Sequence, residues 1–323
     1  MSKQKIFLVG ATGETGSDIL DALIEDGSFE ITCFIRTTSA GKPEVRKLRD
    51  RGLKVVTGNL AGPLEETVGL LQGFDIVISA IFPLNALDQI PLIDAAARAG
   101  IKRFLPCNWG TPAARGIMHL RDLKEEVHDH IFRQHLGFTI IDVGFWYQLS
   151  CPRVPSGRFD YAILMALNKV IAGGTAPNML IDRRDVGRIT AMIIKDERTL
   201  NKRVYAYGDV LSQNEIHALI ENKTGEKLDL TPVSAEEATA ALKTERASAE
   251  ADPANEGKRY KHVIAEYRVT KYVRADNTPK NAEYLSYINA RELYPDYTFI
   301  GFADFVDELV AGQAKKPYLR LQQ

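Results

Sequence analysis

Ile6-Phe7-Leu8-Val9-Gly10-Ala11-Thr12-Gly13-Glu14-Thr15-Gly16 is the stretch on which the reading of this chain turns. Four apolar residues run without a break into glycines at every third position, and an amphipathic helical pattern follows over 14–25. A strand that passes into a helix through such glycines is the setting of a dinucleotide-binding turn. Glycine admits backbone angles closed to other residues, lets a pyrophosphate approach the main chain, and lets helix pack closely on strand. The start of the helix then offers N–H groups and the positive end of its dipole to phosphate. Gly10, Ala11, Thr12, Gly13, Glu14, Thr15 and Gly16 are therefore candidate cofactor-binding residues.

Outward from this turn, short β-branched runs alternate with longer helical patterns, as in repeated βαβ units. Strands are expected at 6–10, 30–36, 54–58, 74–80, 103–107 and 138–143, and helices near 14–25, 43–51, 63–71, 87–98 and 118–134. That density fits an α/β fold with a doubly wound parallel (Rossmann) sheet. After Asp142 the pattern loosens into punctuated segments, Cys151-Pro152-Arg153-Val154-Pro155-Ser156-Gly157 and Gly173-Gly174-Thr175-Ala176-Pro177. The expected organisation is a nucleotide-binding domain over 1–150, rejoined by 182–210, and a smaller interleaved α+β substrate lobe over 151–181 and 211–323. Residues 180–195 carry a helical pattern and 203–207 read as a strand. Ser212 and Glu215 have capping-box spacing, and 234–261 read as an exposed helix ending in a mobile loop at 251–257.

Composition narrows the function classes. The 323 residues carry a formal net charge of −1, with 45% hydrophobic and 26% charged content, so no long-range field recruits nucleic acid or an anionic membrane. The first apolar run is too short for a secretory signal, and no stretch approaches the ~18 apolar residues of a membrane span. Three cysteines, Cys33, Cys107 and Cys151, form no paired or CxxC pattern, and His119, His128, His130 and His135 form no HxxxH pair. A cytoplasmic protein without a metal site is expected, as a monomer or homodimer.

The end of the second strand reads Phe34-Ile35-Arg36-Thr37-Thr38-Ser39, with Lys42 close behind and no acidic residue from Ile31 to Pro43. An NAD site usually places a carboxylate there for the ribose hydroxyls; cationic and hydroxyl donors suit a 2′-phosphate. Arg36, Thr37 and Lys42 thus favour NADPH, and charge-assisted hydrogen bonds of about 1.5–3 kcal/mol make that preference roughly tenfold to a hundredfold. Ala80, Ile81 and Cys107 stand at later strand ends, where ligands bind in open α/β sheets, and join the cofactor-binding candidates. Phe82, Trp109, Phe145, Trp146 and Tyr147 fall at or just beyond strand ends, and His119 lies near them in sequence. They are candidates for binding a flat aromatic small-molecule substrate.

The helix after the fifth strand contains Leu120-Arg121-Asp122-Leu123-Lys124, so it keeps the lysine of ordinary short-chain reductases without their tyrosine. The literal Tyr-x-x-x-Lys match, Tyr267 to Lys271, lies far toward the C-terminus and is read as a decoy. The GxxGxxG turn, Arg36-Thr37, Lys102-Arg103-Phe104-Leu105-Pro106-Cys107-Asn108-Trp109-Gly110, Lys124 and Leu293-Tyr294-Pro295-Asp296-Tyr297 together resemble the NmrA-like, isoflavone reductase-like branch of the atypical short-chain dehydrogenase/reductase superfamily. The family typically reads Pro-Ser-Glu-Phe-Gly where this chain has Pro106-Cys107-Asn108-Trp109-Gly110, a variant more similar to fungal members of secondary metabolism. The resemblance implies an NADPH-dependent reductase of a small aromatic or polyketide-like metabolite. Hydride would go to a carbonyl, a benzylic ether or a quinone-methide-like carbon. It also implies that Lys124 is catalytic and borders the cofactor, because hydride arrival builds negative charge on oxygen that an ammonium or its bound water neutralises. The alternatives are a non-catalytic NADP-sensing regulator and a redox-neutral isomerase or epimerase.

Overall fold

The computed structural model describes residues 3–318. Two compact units divide the chain: the first runs to Trp109 and adds Asp122–Asp142 and Arg184–Val204, and the second comprises Gly110–Arg121, Val143–Arg183 and the chain from Tyr205 on.

In the first unit, strands β1 (Gln4–Val9), β2 (Phe29–Arg36), β3 (Lys54–Gly58), β4 (Ile76–Ser79) and β5 (Arg103–Leu105) alternate with helices α1 (Glu14–Asp26), α2 (Pro43–Asp50), α3 (Leu64–Leu71) and α4 (Ile90–Arg98). They form a five-stranded parallel sheet in the order β3-β2-β1-β4-β5. Helix α5 (His119–Arg133) leads to β6 (Thr139–Val143), and a bridge from Phe104 to Phe138 brings this sixth segment alongside β5. Ile6, Phe7 and Leu8 are fully buried, as expected of a central strand covered by helices on both faces. One face packs Phe7 against Phe34 and Phe74, with α4 and α5 contributing Leu92, Ile93, Val127 and Ile131 to the same core.

Two boundaries fall short of the sequence reading for identifiable reasons. Strand β5 stops at Leu105 because the Cys107 amide donates to the Gln89 side chain instead of continuing the ladder. Helix α4 begins at Ile90, not at 87, since Pro91 suits the first turn and residues Pro83–Gln89 form a 3-10 segment before it.

The helix Arg183–Lys195 packs on α1 at backbone distance, for a Cβ on Gly187 would stand 2.2 Å from the Asp18 carbonyl oxygen. Its C-terminal end is held by the buried Arg103 of β5, which donates to Ile193 O at 3.0 Å and Thr199 Oγ1 at 2.9 Å.

The second unit is built from short sheets and helices. Strand Asn178–Ile181 pairs antiparallel with Asp209–Leu211 and parallel with Phe145–Trp146. The helical pattern expected over 180–195 therefore starts too early: Asn178–Ile181 is strand and the helix opens at Arg183. Helix Gln213–Thr224 carries the Ser212–Glu215 capping box in full. The exposed segment after Ser234 is two helices, Ala235–Ala251 and Glu256–Arg268, with no long loop between them. Asn255 caps the second by accepting from the Lys258 amide, which ends the connection after four residues, Asp252 to Asn255.

Candidate active site

The strand order reverses direction at β1, with β2 on one side and β4 on the other, and ligands of open α/β sheets bind where such neighbours diverge. Gly10 follows β1 and Ala80 follows β4, with the Ala80 amide donating to Val9 O at 2.9 Å. A Cβ on Gly10 would stand 2.2 Å from the Ala80 carbonyl oxygen, and Gly10 has φ +85°, so the position excludes any side chain twice over. A Cβ on Gly16 would fall 2.0 Å from Gly10 O, which lets α1 start directly against the turn. Gly13 is the N-cap residue and has no side chain to bond the amides of the first turn, leaving that end of the helix dipole to a ligand.

Arg36 ends β2 opposite Gly58 of β3 and is exposed, as are Thr37 and Lys42. Neither Arg36 nor Lys42 has a side-chain hydrogen bond or ion pair among the described residues. The glycine cradle and the exposed cations fit a dinucleotide bearing a 2′-phosphate: Gly10 to Gly16 would hold the pyrophosphate, and Arg36 with Thr37 the extra phosphoryl group.

Lys124 is 4% exposed although it lies on a helix rich in charge. Its Nζ donates to the Asn108 carbonyl at 2.5 Å, just beyond β5. The Asn108 side chain is held from both sides: Nδ2 donates to Asp142 Oδ1 at 2.6 Å, and Oδ1 lies 3.0 Å from His128 Nε2. Because the amide turns its NH2 toward the carboxylate, the histidine Nε2 is the donor to Oδ1. On the far side of the ring, His128 Nδ1 is 3.4 Å from Glu125, an ion-pair distance and not a formed hydrogen bond. Arg203 clamps Glu125 with two hydrogen bonds of 2.9 and 3.2 Å. Burial alone would raise the Glu125 value, but His128 and Arg203 outweigh it and bring it down to about 2. A chain of buried polar groups thus fixes the carbonyl that orients Lys124.

Asn108, Asp142, Glu125, His128 and Arg203 are absent from the sequence-level site. The available signal was positional: Asn108 and Asp142 are polar residues at the ends of apolar strands, and Glu125 and His128 share the helix of Lys124 at i+1 and i+4. In sequence His128 stands out only as a histidine among others that lack metal-ligand spacing.

The remaining candidates separate. Cys107 is buried, its sulfur 3.1 Å from Ile81 O, and desolvation pushes its thiol up to about 11, so it is no nucleophile. Ala80 is buried, Ile81 is half-buried, and Phe82 stands exposed beyond β4. Three aromatic expectations are corrected. Trp109 is in the core of the first unit, donating from Nε1 to Thr190 Oγ1 at 3.2 Å. Tyr147 is fully buried in the second, where its hydroxyl meets Asp209 and Ile300 O and its ring packs on Phe302 and Phe305. Trp146 is buried between Arg183 and Tyr318. Each ring is buried against its own unit, Trp109 and Tyr147 just past strand ends and Trp146 within a strand, the usual fate of a large aromatic ring. Phe145 stays half-buried beside Tyr267, and His119 is exposed, stacked on His262, with its amide donating to Glu266.

Fold and cradle together define an α/β protein of the dinucleotide-binding, Rossmann-like class. The chain belongs to the NmrA-like family, whose model matches residues 2–303. It is 39% identical to the asnovolin J 5′,6′-dehydrogenase of Aspergillus novofumigatus over 95% of both chains. It is 27% identical to the probable pinoresinol-lariciresinol reductase 3 of Arabidopsis thaliana, covering 95% of this chain and 98% of that one. Its fold matches the complex of leucoanthocyanidin reductase with NADPH from Vitis vinifera, with a TM-score of 0.78, 21% identity, and coverage of 95% and 99%. These relatives are oxidoreductases, and that solved structure of the shared fold holds NADPH. Among the described residues no helix is long and apolar enough to cross a membrane.

Proposed function

We propose that this protein is an NADPH-dependent oxidoreductase acting on a small aromatic or polyketide-like secondary metabolite, with Lys124 as its proton-handling residue. The observation that carries the reading is the burial of Lys124 with its Nζ fixed on the Asn108 carbonyl, in the unit that also bears the glycine cradle. A surface lysine has no need of such support; a lysine that must deliver a proton at one point does.

NADPH, when bound, supplies the hydride. Gly10 to Gly16 and Arg36 bind and orient it. Lys124 holds a proton on Nζ and can release it to an acceptor oxygen that gains negative charge, while Asn108, His128 and Glu125 keep the amine in place. The same groups serve the reverse direction, in which Nζ accepts the proton, and the fungal relative named as a dehydrogenase is consistent with that. The second unit is assigned to acceptor binding, with half-buried Phe145 and exposed His119 as its candidate contacts.

The test is Lys124→Ala set against the wild type, with a panel of quinones, benzylic ethers and aromatic ketones. NADPH binding measured by fluorescence titration stays within about twofold, and turnover falls by roughly 10²–10⁴. A variant that still consumes NADPH at the wild-type rate overturns the role given to Lys124.

A further inference from the structure

The second unit contains a lysine for which the nucleotide site has no use. Lys271 stands in the π-helical turn Val269–Val273 that continues the helix Glu256–Arg268. It is 3% exposed, and its Nζ lies 3.1 Å from the centroid of the Phe145 ring and 4.8 Å from that of Tyr272. Among the described residues it has neither a hydrogen bond nor an ion pair. A buried amine with no acceptor is costly, and native chains seldom keep one without a use.

The surroundings explain why no partner within the unit satisfies it. Val269, Tyr272 and Val273 of the same turn pack on Ile171, Ala238, Val233 and Leu242, all apolar. Arg268 is the charge that acts on Lys271, and it repels; burial, then this like charge, pushes the amine well below the ordinary lysine range. Burial keeps the neighbouring Tyr272 phenol protonated. The two carboxylates nearest in sequence, each five residues away, are engaged elsewhere: Glu266 takes the His119 amide at 2.8 Å with His262 at 3.1 Å and Arg246 at 3.5 Å, and Asp276 accepts from Arg274 Nε at 2.6 Å. What the turn offers is a buried amine without a hydrogen-bond acceptor, its hold on a proton weakened, beside half-buried aromatic rings, Phe145 and Tyr267, whose centroids are 5.5 Å apart.

We propose that Lys271 anchors an acidic hydroxyl, a phenol or enol on a flat conjugated ring, by taking its proton and holding the resulting oxyanion as an ion pair beside Phe145. The O–H bond breaks, an N–H bond forms on Nζ, and nothing is oxidised, reduced or released. The inference rests on reading the second unit as the acceptor-binding one, and it narrows the acceptor class from aromatic compounds at large to those with an ionisable ring oxygen. It gives specificity a mechanism: the ligand brings the proton that turns the amine into a partner, whereas an ether leaves the amine buried and unpaired.

The experiment uses 7-hydroxycoumarin, whose anion absorbs to the red of its neutral form, and 7-methoxycoumarin, which has no proton to give. At a pH where the free phenol is neutral, mixing with the wild type in the presence of NADP+ produces the anion band, and the hydroxyl compound binds about a hundredfold more tightly than its methyl ether. Lys271→Met abolishes the band and brings the affinity ratio near one. Lys271→Gln, which donates a hydrogen bond without accepting a proton, retains weak binding with no anion band. Both variants keep the wild-type Tm or exceed it, because no buried pair is broken. Absence of the band in the wild type, or its persistence in Lys271→Met, overturns the proposal. A band that appears in a protein consuming no NADPH with any acceptor leaves the anchor standing and removes the oxidoreductase reading instead.

Discussion

Arg36 and Lys124 differ in what their removal takes away. Arg36 is exposed at the end of β2, so Arg36→Ala leaves stability unchanged and weakens NADPH binding by roughly tenfold to a hundredfold, while NADH binding moves by less than about twofold. Parallel titrations with the two nucleotides check this. Arg36 was legible because its exposed cation follows an apolar strand with no acid near it in sequence. Lys124 was legible only through its place in a family pattern, since its own neighbours, Arg121, Asp122, Glu125 and Glu126, read as a solvated helix face. The buried chain from Asn108 to Arg203 left only a positional trace, for it joins the segment after β5, α5, β6 and residue 203, which only folding brings together. The aromatic cluster misled for a related reason. Position past a strand end does not say whether a ring faces ligand or core, and Trp109, Trp146 and Tyr147 face the core.

The βα turn is where one atom decides an element. Gly10→Ala would place a Cβ against the Ala80 carbonyl, in a backbone region closed to alanine, so the junction of β1 with α1 must move. The expected outcome is loss of measurable NADPH binding together with a Tm lowered by several degrees, read by titration and thermal melting. Gly187 does the same work for the helix Arg183–Lys195, whose approach to α1 leaves no room for a Cβ beside Asp18. That contact has no signature in sequence, whereas the glycines of the turn announce themselves by spacing. The alternating strands and helices up to Val143 were readable because parallel strands buried on both faces are apolar runs. Beyond that point strands of two to five residues pair across long separations, and 178–181 could be mistaken for the start of the next helix.

Across the whole molecule, stability should respond to acid through Glu125. Its folded value of about 2 lies below the ordinary 4.5, so its contribution is fully present above about pH 4.5 and is lost as pH falls toward 2. Glu125→Gln therefore destabilises the protein at pH 7 and narrows that gap as the pH drops to 3, a trend that urea midpoints at both pH values would show. Bound nucleotide should act in the opposite sense, adding about 2.7 kcal/mol at a hundredfold excess over Kd. The central claim is that the first unit takes a dinucleotide with a 2′-phosphate, and equilibrium titration of the purified protein with NADPH and NADH tests it most directly. The account predicts saturable binding of NADPH at least tenfold tighter than of NADH, with that advantage removed by Arg36→Ala; equal affinities, or no uptake of either nucleotide, would contradict it.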